Sequence, residues 1–165
     1  FHQALLKLVS DPQPIVRRNA ALALVRFNDS TGRQELLSVL MPYPVKAPDD
    51  GQIASTLQVQ SQVGRGALLA RIEQGDRKVV EVRSPLPGKI HSVSKPNASE
   101  VKSGDEILSL NSDEDSVWEA LRGLALIGQT DDIQSIQTYA ARSDVADRIK
   151  EQAALTVKSI QSRQH

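Results

Sequence analysis

The residues best suited to chemistry in this chain are three histidines and two acidic runs: His2, His91 and His165, Asp49-Asp50, and Asp113-Glu114-Asp115. Imidazoles and carboxylates at ligand spacing would hold zinc. Paired acids would hold a divalent cation or exchange protons with a substrate. The spacing does not gather them. The histidines lie far apart, with no Asp, Glu or Cys beside them at ligand spacing, and the acids fall in turns. Asp113 to Asp115 run into a helix start, where the helix dipole favours negative charge, so capping and solvation are expected of them. The chain has no cysteine, which excludes disulfides, thiolate catalysis and Cys-ligated zinc. No serine sits in a nucleophile elbow, and no glycine-rich loop fits a phosphate cradle. The expectation is no enzyme, no metal and no cofactor.

Composition narrows the remaining classes. Net charge is zero, divided as about +2 over residues 1–43, about +1 over 44–110 and about −3 over 111–165. No basic face dominates, so a phosphate-tracking nucleic-acid role is not expected. The aromatics are Phe1, Phe27, Tyr43, Trp118 and Tyr139, and none lies in 44–110 to stack on bases. No apolar run has the length of a membrane helix, so no membrane insertion is expected of this stretch. The first residue is Phe1 inside a helical pattern, which reads as a piece excised from a longer protein.

The elements that must position any site fall into two kinds. From Val45 to Leu110 the chain writes one motif twice. Val45-Lys-Ala-Pro48-Asp-Asp-Gly51-Gln-Ile53 returns as Val82-Arg-Ser-Pro85-Leu-Pro-Gly88-Lys-Ile90. Each copy then closes on Val-x-x-Gly-x-x-(Leu/Ile), with Val63, Gly66 and Leu69, then Val101, Gly104 and Ile107. Short β-rich runs punctuated by Gly and Pro fill the segment, at 53–59, 67–72, 78–82, 89–93 and 106–110, and Gln74 to Arg77 is a turn. Outside it the period is helical. Helices are expected over 4–9, from Pro12 through Phe27, over Arg33–Met41 with Pro42-Tyr43-Pro44 as the stop, and in three stretches after Asn111. Asp11, Thr130-Asp131 and Ser143 or Asp144 are the expected caps.

The outer helices also repeat. Val16-Arg17-x-x-Ala20-x-x-Ala23-Leu24-x-x-Phe27 matches Ile149-Lys150-x-x-Ala153-x-x-Thr156-Val157-x-x-Ile160, every member offset by 133. A looser copy runs through Ala120, Gly123, Leu124 and Ile127. Ala120 and Ala153 are 33 apart, whereas Ala20 and Ala120 are 100 apart. The excess over one period equals the 67 residues of 44–110. Removing the duplicated β segment restores the repeat, so it reads as an insertion at a surface turn.

The pattern Asp-x-x-x-x-Val-Arg-x-x-Ala-x-x-Ala-Leu resembles HEAT-like repeats, particularly the phycobilisome-lyase-type subgroup. The duplicated segment resembles the biotinyl/lipoyl-type barrel-sandwich hybrid, with its Pro-x-x-Gly turns and Val-x-x-Gly-x-x-Leu closing strands. Together they imply an α+β chain: a HEAT-like α-solenoid fragment of three helix pairs over 1–43 and 111–165, with an all-β barrel-sandwich hybrid over 44–110 inserted between the helices of the second pair. In the carriers of that β family a lysine at the hairpin tip bears the cofactor. Counting back from Gly88, the carrier position here is Arg77, and Lys78 sits one place off. A guanidinium offers no free lone pair to acylate, so no cofactor is expected on it.

The two resemblances imply a non-catalytic scaffold that docks protein partners of unspecified identity. The alternative they leave open is an enzyme-associated module, either a lipoyl/biotinyl-type carrier or a bilin-lyase-like repeat protein. In a solenoid the second helices line one face, here with Arg18, Arg26, Trp118, Arg122 and Lys158. Trp118 matches Arg18 in register and is expected either to pack on the inserted domain or to stand exposed as an anchor. Arg77 and Lys78 add a partner surface at the hairpin tip. Asp11 with Arg17, and Asp144 or Asp147 with Lys150, are expected to link neighbouring repeats.

Overall fold

The computed structural model describes residues 1–164, and these hold six α-helices and eight strands in an α+β arrangement. The chain divides into two compact units, Phe1–Met41 with Glu114–His165, and Pro42–Asp113. The changeovers fall a few residues from the limits read in the sequence. Tyr43 and Pro44, expected in the helix-ending turn, open the first strand instead.

The helical unit starts with α1 (His2–Leu8) and α2 (Pro14–Val25). Pro14 opens α2 because its missing N–H is not needed in a first turn. Asp11, the expected cap, does not cap α2: Gln13 is the N-cap residue and makes no side-chain cap bond, while Asp11 accepts the Gln13 amide at 2.8 Å in the turn before the helix. A short 3-10 turn at Ser30–Gly32 leads into α3 (Arg33–Ser38), shorter than the expected Arg33–Met41. After the β segment come α4 (Glu114–Ile127), α5 (Ile133–Ala140) and α6 (Asp147–Ser162). Two further expected caps are replaced. Gln129 and Asp132 form a reciprocal capping box ahead of α5, rather than Thr130-Asp131. Ala146 precedes α6 with no side-chain cap, and Asp147 sits in its first turn.

The helices share one main core, while Ala20 and Leu24 of α2 pack with Leu5 of α1 in a second, smaller cluster. Leu36, Leu121, Leu124, Ile136, Ile149 and Ile160 are all buried in a single cluster. Burying each such side chain stabilises the fold by about 1.5–3 kcal/mol. Phe27 departs from the stripe: it lies past the end of α2, half exposed, with the His2 ring stacked on it at 5.0 Å. Two side-chain contacts give the direction of α4 against α6. Arg148 meets Trp118, and the Thr156 hydroxyl donates to the Leu121 carbonyl at 2.8 Å. The Arg163 guanidinium then donates to the carbonyls of Ala125 and Gly128. The partners ascend together, so the two helices run the same way.

The β unit contains β1 (Tyr43–Lys46), β2 (Gly51–Thr56), β3 (Gln62–Val63), β4 (Leu68–Glu73), β5 (Val79–Arg83), β6 (Gly88–Val93), β7 (Glu100–Val101) and β8 (Glu106–Ser112). They form two antiparallel four-stranded sheets, β1-β8-β6-β3 and β5-β4-β2-β7, and not one closed barrel. Moving each strand of the first sheet four places on, cyclically, writes the second. The register obeys the same rule. Ile53 faces Ile72 as Ile90 faces Leu110, and Gly51 faces Val101 as Gly88 faces Val63. Even the irregularities match, at Ile53/Ser55 and Ile90/Ser92. Ile53, Ile72, Ile90, Ile107 and Leu110 fill the space between the sheets.

The two Pro-x-x-Gly glycines are there for close approach. A Cβ on Gly51 would lie 2.6 Å from the Glu73 carbonyl oxygen. A Cβ on Gly88 would fall far inside contact distance of the Asn111 carbonyl oxygen. Both oxygens belong to the closing strand of the same half.

Candidate functional site

The helical unit presents a groove between α2 and α4 of about 490 Å3. Its walls carry Leu22 and Arg26 on one side and Arg122 and Leu126 on the other, over Ala23 and Gly123. The repeat register explains the pattern. Leu22 and Arg122 hold equivalent positions, as do Arg26 and Leu126, so apolar and cationic groups alternate diagonally across the groove. Leu126 is 61% exposed, and Arg26 is exposed with no ion pair or side-chain hydrogen bond among the described residues. Arg122 makes one long ion pair, with Glu119 at 3.9 Å, among the described residues.

Trp118 lies at the start of this face and is clamped rather than free. The guanidinium carbons of Arg122 and Arg148 sit 4.6 and 4.5 Å from its ring centroid. Arg148 is itself held by Asp115 at 3.0 Å and Glu114 at 3.3 Å. Each cation–ring contact at such a site contributes about 0.5–1 kcal/mol. The indole therefore packs on the helical core with two arginines over its ring. Arg148 was not among the expected residues. It lies one turn before the register partner of Trp118, Glu151, and hence on the same helix face.

Arg18 does not join the surface. It is only 5% exposed and lines a narrow cleft of about 200 Å3 with Asp115, Ser116 and Glu119. The equivalent position in the repeat register holds Trp118, which is partly buried against the helical core. Lys158 is exposed on α6. The groove thus unites Arg26 and Arg122, with Trp118 beside them, and leaves Arg18 below the surface.

The links between helix pairs differ from those expected. Arg17 reaches forward to Glu35 of α3 at 3.1 Å, while its terminal nitrogen bonds the Asp11 and Pro12 carbonyls. Asp144 pairs with Arg142 at 2.6 Å instead of Lys150. A pair the sequence did not suggest joins α3 to the start of α5: Arg33 Nη1 meets both Asp132 oxygens at 2.7 and 2.9 Å.

The hairpin tip of the β unit spans Gln74 to Lys78 between β4 and β5. The Gln74 amide donates to the Lys78 carbonyl and the Arg77 amide to the Gln74 carbonyl, both at 2.9 Å. Arg77 adopts φ +62°, the left-handed region, and Lys78 precedes the strand rather than lying on it. Both side chains are exposed. Left-handed backbone costs a residue with a Cβ about 1–2 kcal/mol, and glycine's greater unfolded freedom offsets roughly 0.5–1 of that. Arg77→Gly is therefore expected to stabilise the β unit by about 0.5–1 kcal/mol in urea unfolding. No gain would show that the arginine side chain anchors the turn.

The histidines and acids are occupied locally. His2 Nε2 lies 2.7 Å from Asp29, and His91 Nδ1 lies 3.1 Å from the Asn111 amide. Hydrogen bonds from Thr31, through hydroxyl and amide, and then from His2 hold the Asp29 carboxyl below its ordinary range. His165 lies outside the described residues. Asp50 accepts from the Ser103 amide at 2.8 Å and faces Lys102 at 3.8 Å. No group of three or more His, Cys, Asp or Glu is placed to hold a metal among the described residues. No helix among them is long and apolar enough to cross a membrane.

No family model matches the chain, and no curated protein matches its sequence. Among solved structures, a single-chain, multi-domain long-chain acyl-CoA carboxylase aligns at 16% identity and a TM-score of 0.41, over 44% of this chain and 7% of that one. The product-bound ectoine utilization protein EutE (DoeB) from Ruegeria pomeroyi aligns at 29% identity and a TM-score of 0.38, over 42% of this chain and 22% of that one. The chain thus spans a small part of either protein, and at such TM-scores neither likeness bears on what it does.

Proposed function

We propose that this chain is a non-catalytic docking scaffold for protein partners. In this reading the helical unit is a HEAT-like solenoid fragment of three pairs, α1–α2, α3–α4 and α5–α6, and the second helices form the docking face. The β unit is then a biotinyl/lipoyl-like barrel-sandwich hybrid placed between α3 and α4. The matched burial of Ala20, Ala120 and Ala153 supports the solenoid, and the four-place relation between the sheets supports the hybrid. The observation that carries the function is the α2–α4 groove. It sets an unpaired Arg26 and an exposed Leu126 on facing walls, the mixture of apolar anchor and cation that protein interfaces use.

A photo-crosslinker replacing Leu126 tests this in extract of the native host. One discrete crosslinked protein is expected, and the Arg26→Glu/Arg122→Glu double variant should lower its yield by about tenfold or more with circular dichroism unchanged. Crosslinking that is absent, or indifferent to the double variant, would overturn the groove as a docking face.

A further inference from the structure

The same stripe of positions recurs on the three second helices, and the chain shows what covers it. On α2 it is Arg17, Ala21 and Val25. On α4 it is Val117, Leu121 and Ala125. On α6 it is Lys150, Ala154 and Lys158. The segment from Ser30 to Leu40 seats on the first. Gly32 approaches so closely that an added Cβ would lie 2.6 Å from the Ala21 Cα. Glu35 takes the Arg17 guanidinium, and Val25 joins a cluster with Leu36, Val39 and Leu40. Ala21 is fully buried as a result. The second stripe is covered too: Val117 and Leu121 are fully buried, Thr156 bonds the Leu121 carbonyl, and Arg163 bonds that of Ala125.

The third stripe is open. Lys150, Ala154 and Lys158 are all exposed. They border a cleft of about 420 Å3 between α5 and α6, floored by Ala140, Ala153 and Val157. Neither lysine has an ion pair or side-chain hydrogen bond among the described residues. Eight residues apart, they stand about 12 Å from each other along the helix, on either side of the small Ala154. An apolar floor of alanines admits a closely packed backbone, and two bare ammonium groups at its edge call for carboxylates.

We infer that the α5–α6 cleft docks an acidic amphipathic helix of a partner protein, seated as the Ser30–Leu40 segment is seated on α2. Its carboxylate would take Lys150 as Glu35 takes Arg17, and a glycine or alanine would face Ala154 as Gly32 faces Ala21. The inference deepens the scaffold reading above and rests on it for the existence of a partner, but it concerns a separate surface.

The probe is a helix-constrained synthetic peptide with the sequence of residues 29–41, titrated into the isotope-labelled full chain and followed by amide chemical shifts. Saturable shifts are expected at Ala140, Ala154 and Val157. Lys150→Glu should weaken binding about tenfold, and a peptide carrying Glu35→Lys should bind the Lys150→Glu chain better than the unaltered one. No saturable shift would overturn the inference. So would shifts confined to α2 and α4, where the peptide merely replaces its own copy, or an affinity indifferent to Lys150→Glu. Arg26→Glu/Arg122→Glu should leave peptide binding intact, so failure of the α2–α4 face and failure of this cleft are read separately.

Discussion

Replacing Asp132 with alanine is expected to destabilise the helical unit by about 3–5 kcal/mol. The carboxylate is 4% exposed and does two jobs at once. Both oxygens face Arg33 Nη1, and Oδ2 also accepts the Gln129 amide at 2.8 Å. Truncation leaves a partly buried guanidinium without its counter-charge and unties the capping box. A domain of this size has about 5–15 kcal/mol in total, so the loss takes a large share of it. Urea unfolding followed by helical ellipticity measures it. The pair is costly to break rather than strongly stabilising in itself, so Arg33→Met with Asp132→Leu should recover most of the loss. A single-variant cost below about 1 kcal/mol would mean that the pair behaves as a solvated surface bridge.

Gly88→Val should disrupt the β unit by about 3 kcal/mol or more, at the upper end of what overpacking costs. The obstacle is the Asn111 carbonyl, which is backbone on the strand paired with β6, so no rotamer change relieves it. Amide exchange of β6 and β8 should collapse first. Gly64 is the matched control, since no heavy atom lies within 4 Å of an added Cβ there and its φ is ordinary. Gly64→Ala should be neutral or stabilise by about 0.5 kcal/mol. Equal effects at the two positions would refute the close-approach account.

What the sequence made legible followed from periodicity. The five longer strands announced themselves through Gly and Pro at their ends, and the duplication marked the segment as two like halves, while the pairing of the strands was not read from it. The two-residue strands β3 and β7 are too short to show alternation. β1 was hidden by Pro42-Tyr43-Pro44, which stops a helix equally well. Pro44 is tolerated because β1 is an edge strand. The buried members of the helical stripes were readable because burial follows the repeat. Side-chain partners were not. Arg33 and Asp132 are 99 residues apart, with the β segment between them. Asp144 found a nearer arginine than the lysine its register suggested. Arg18 and Trp118 share a register position, yet the groove depends on how deeply each is buried, which no spacing encodes. Arg26 and Arg122 came together because their helices align by the repeat, and Arg148 could have been added by the same logic.

The pairing of β1 with β8 also sets how the β unit answers to pulling. Tyr43, at the start of β1, faces Leu110 near the end of β8, so the chain enters and leaves at one corner. Tension arriving through Pro42 and Asp113 loads the outermost rung alone. The rungs Tyr43–Leu110, Pro44–Ser109 and Val45–Leu108 would then open in succession, like a zip, instead of sharing the force. A unit loaded in this way yields at low force whatever its thermodynamic stability.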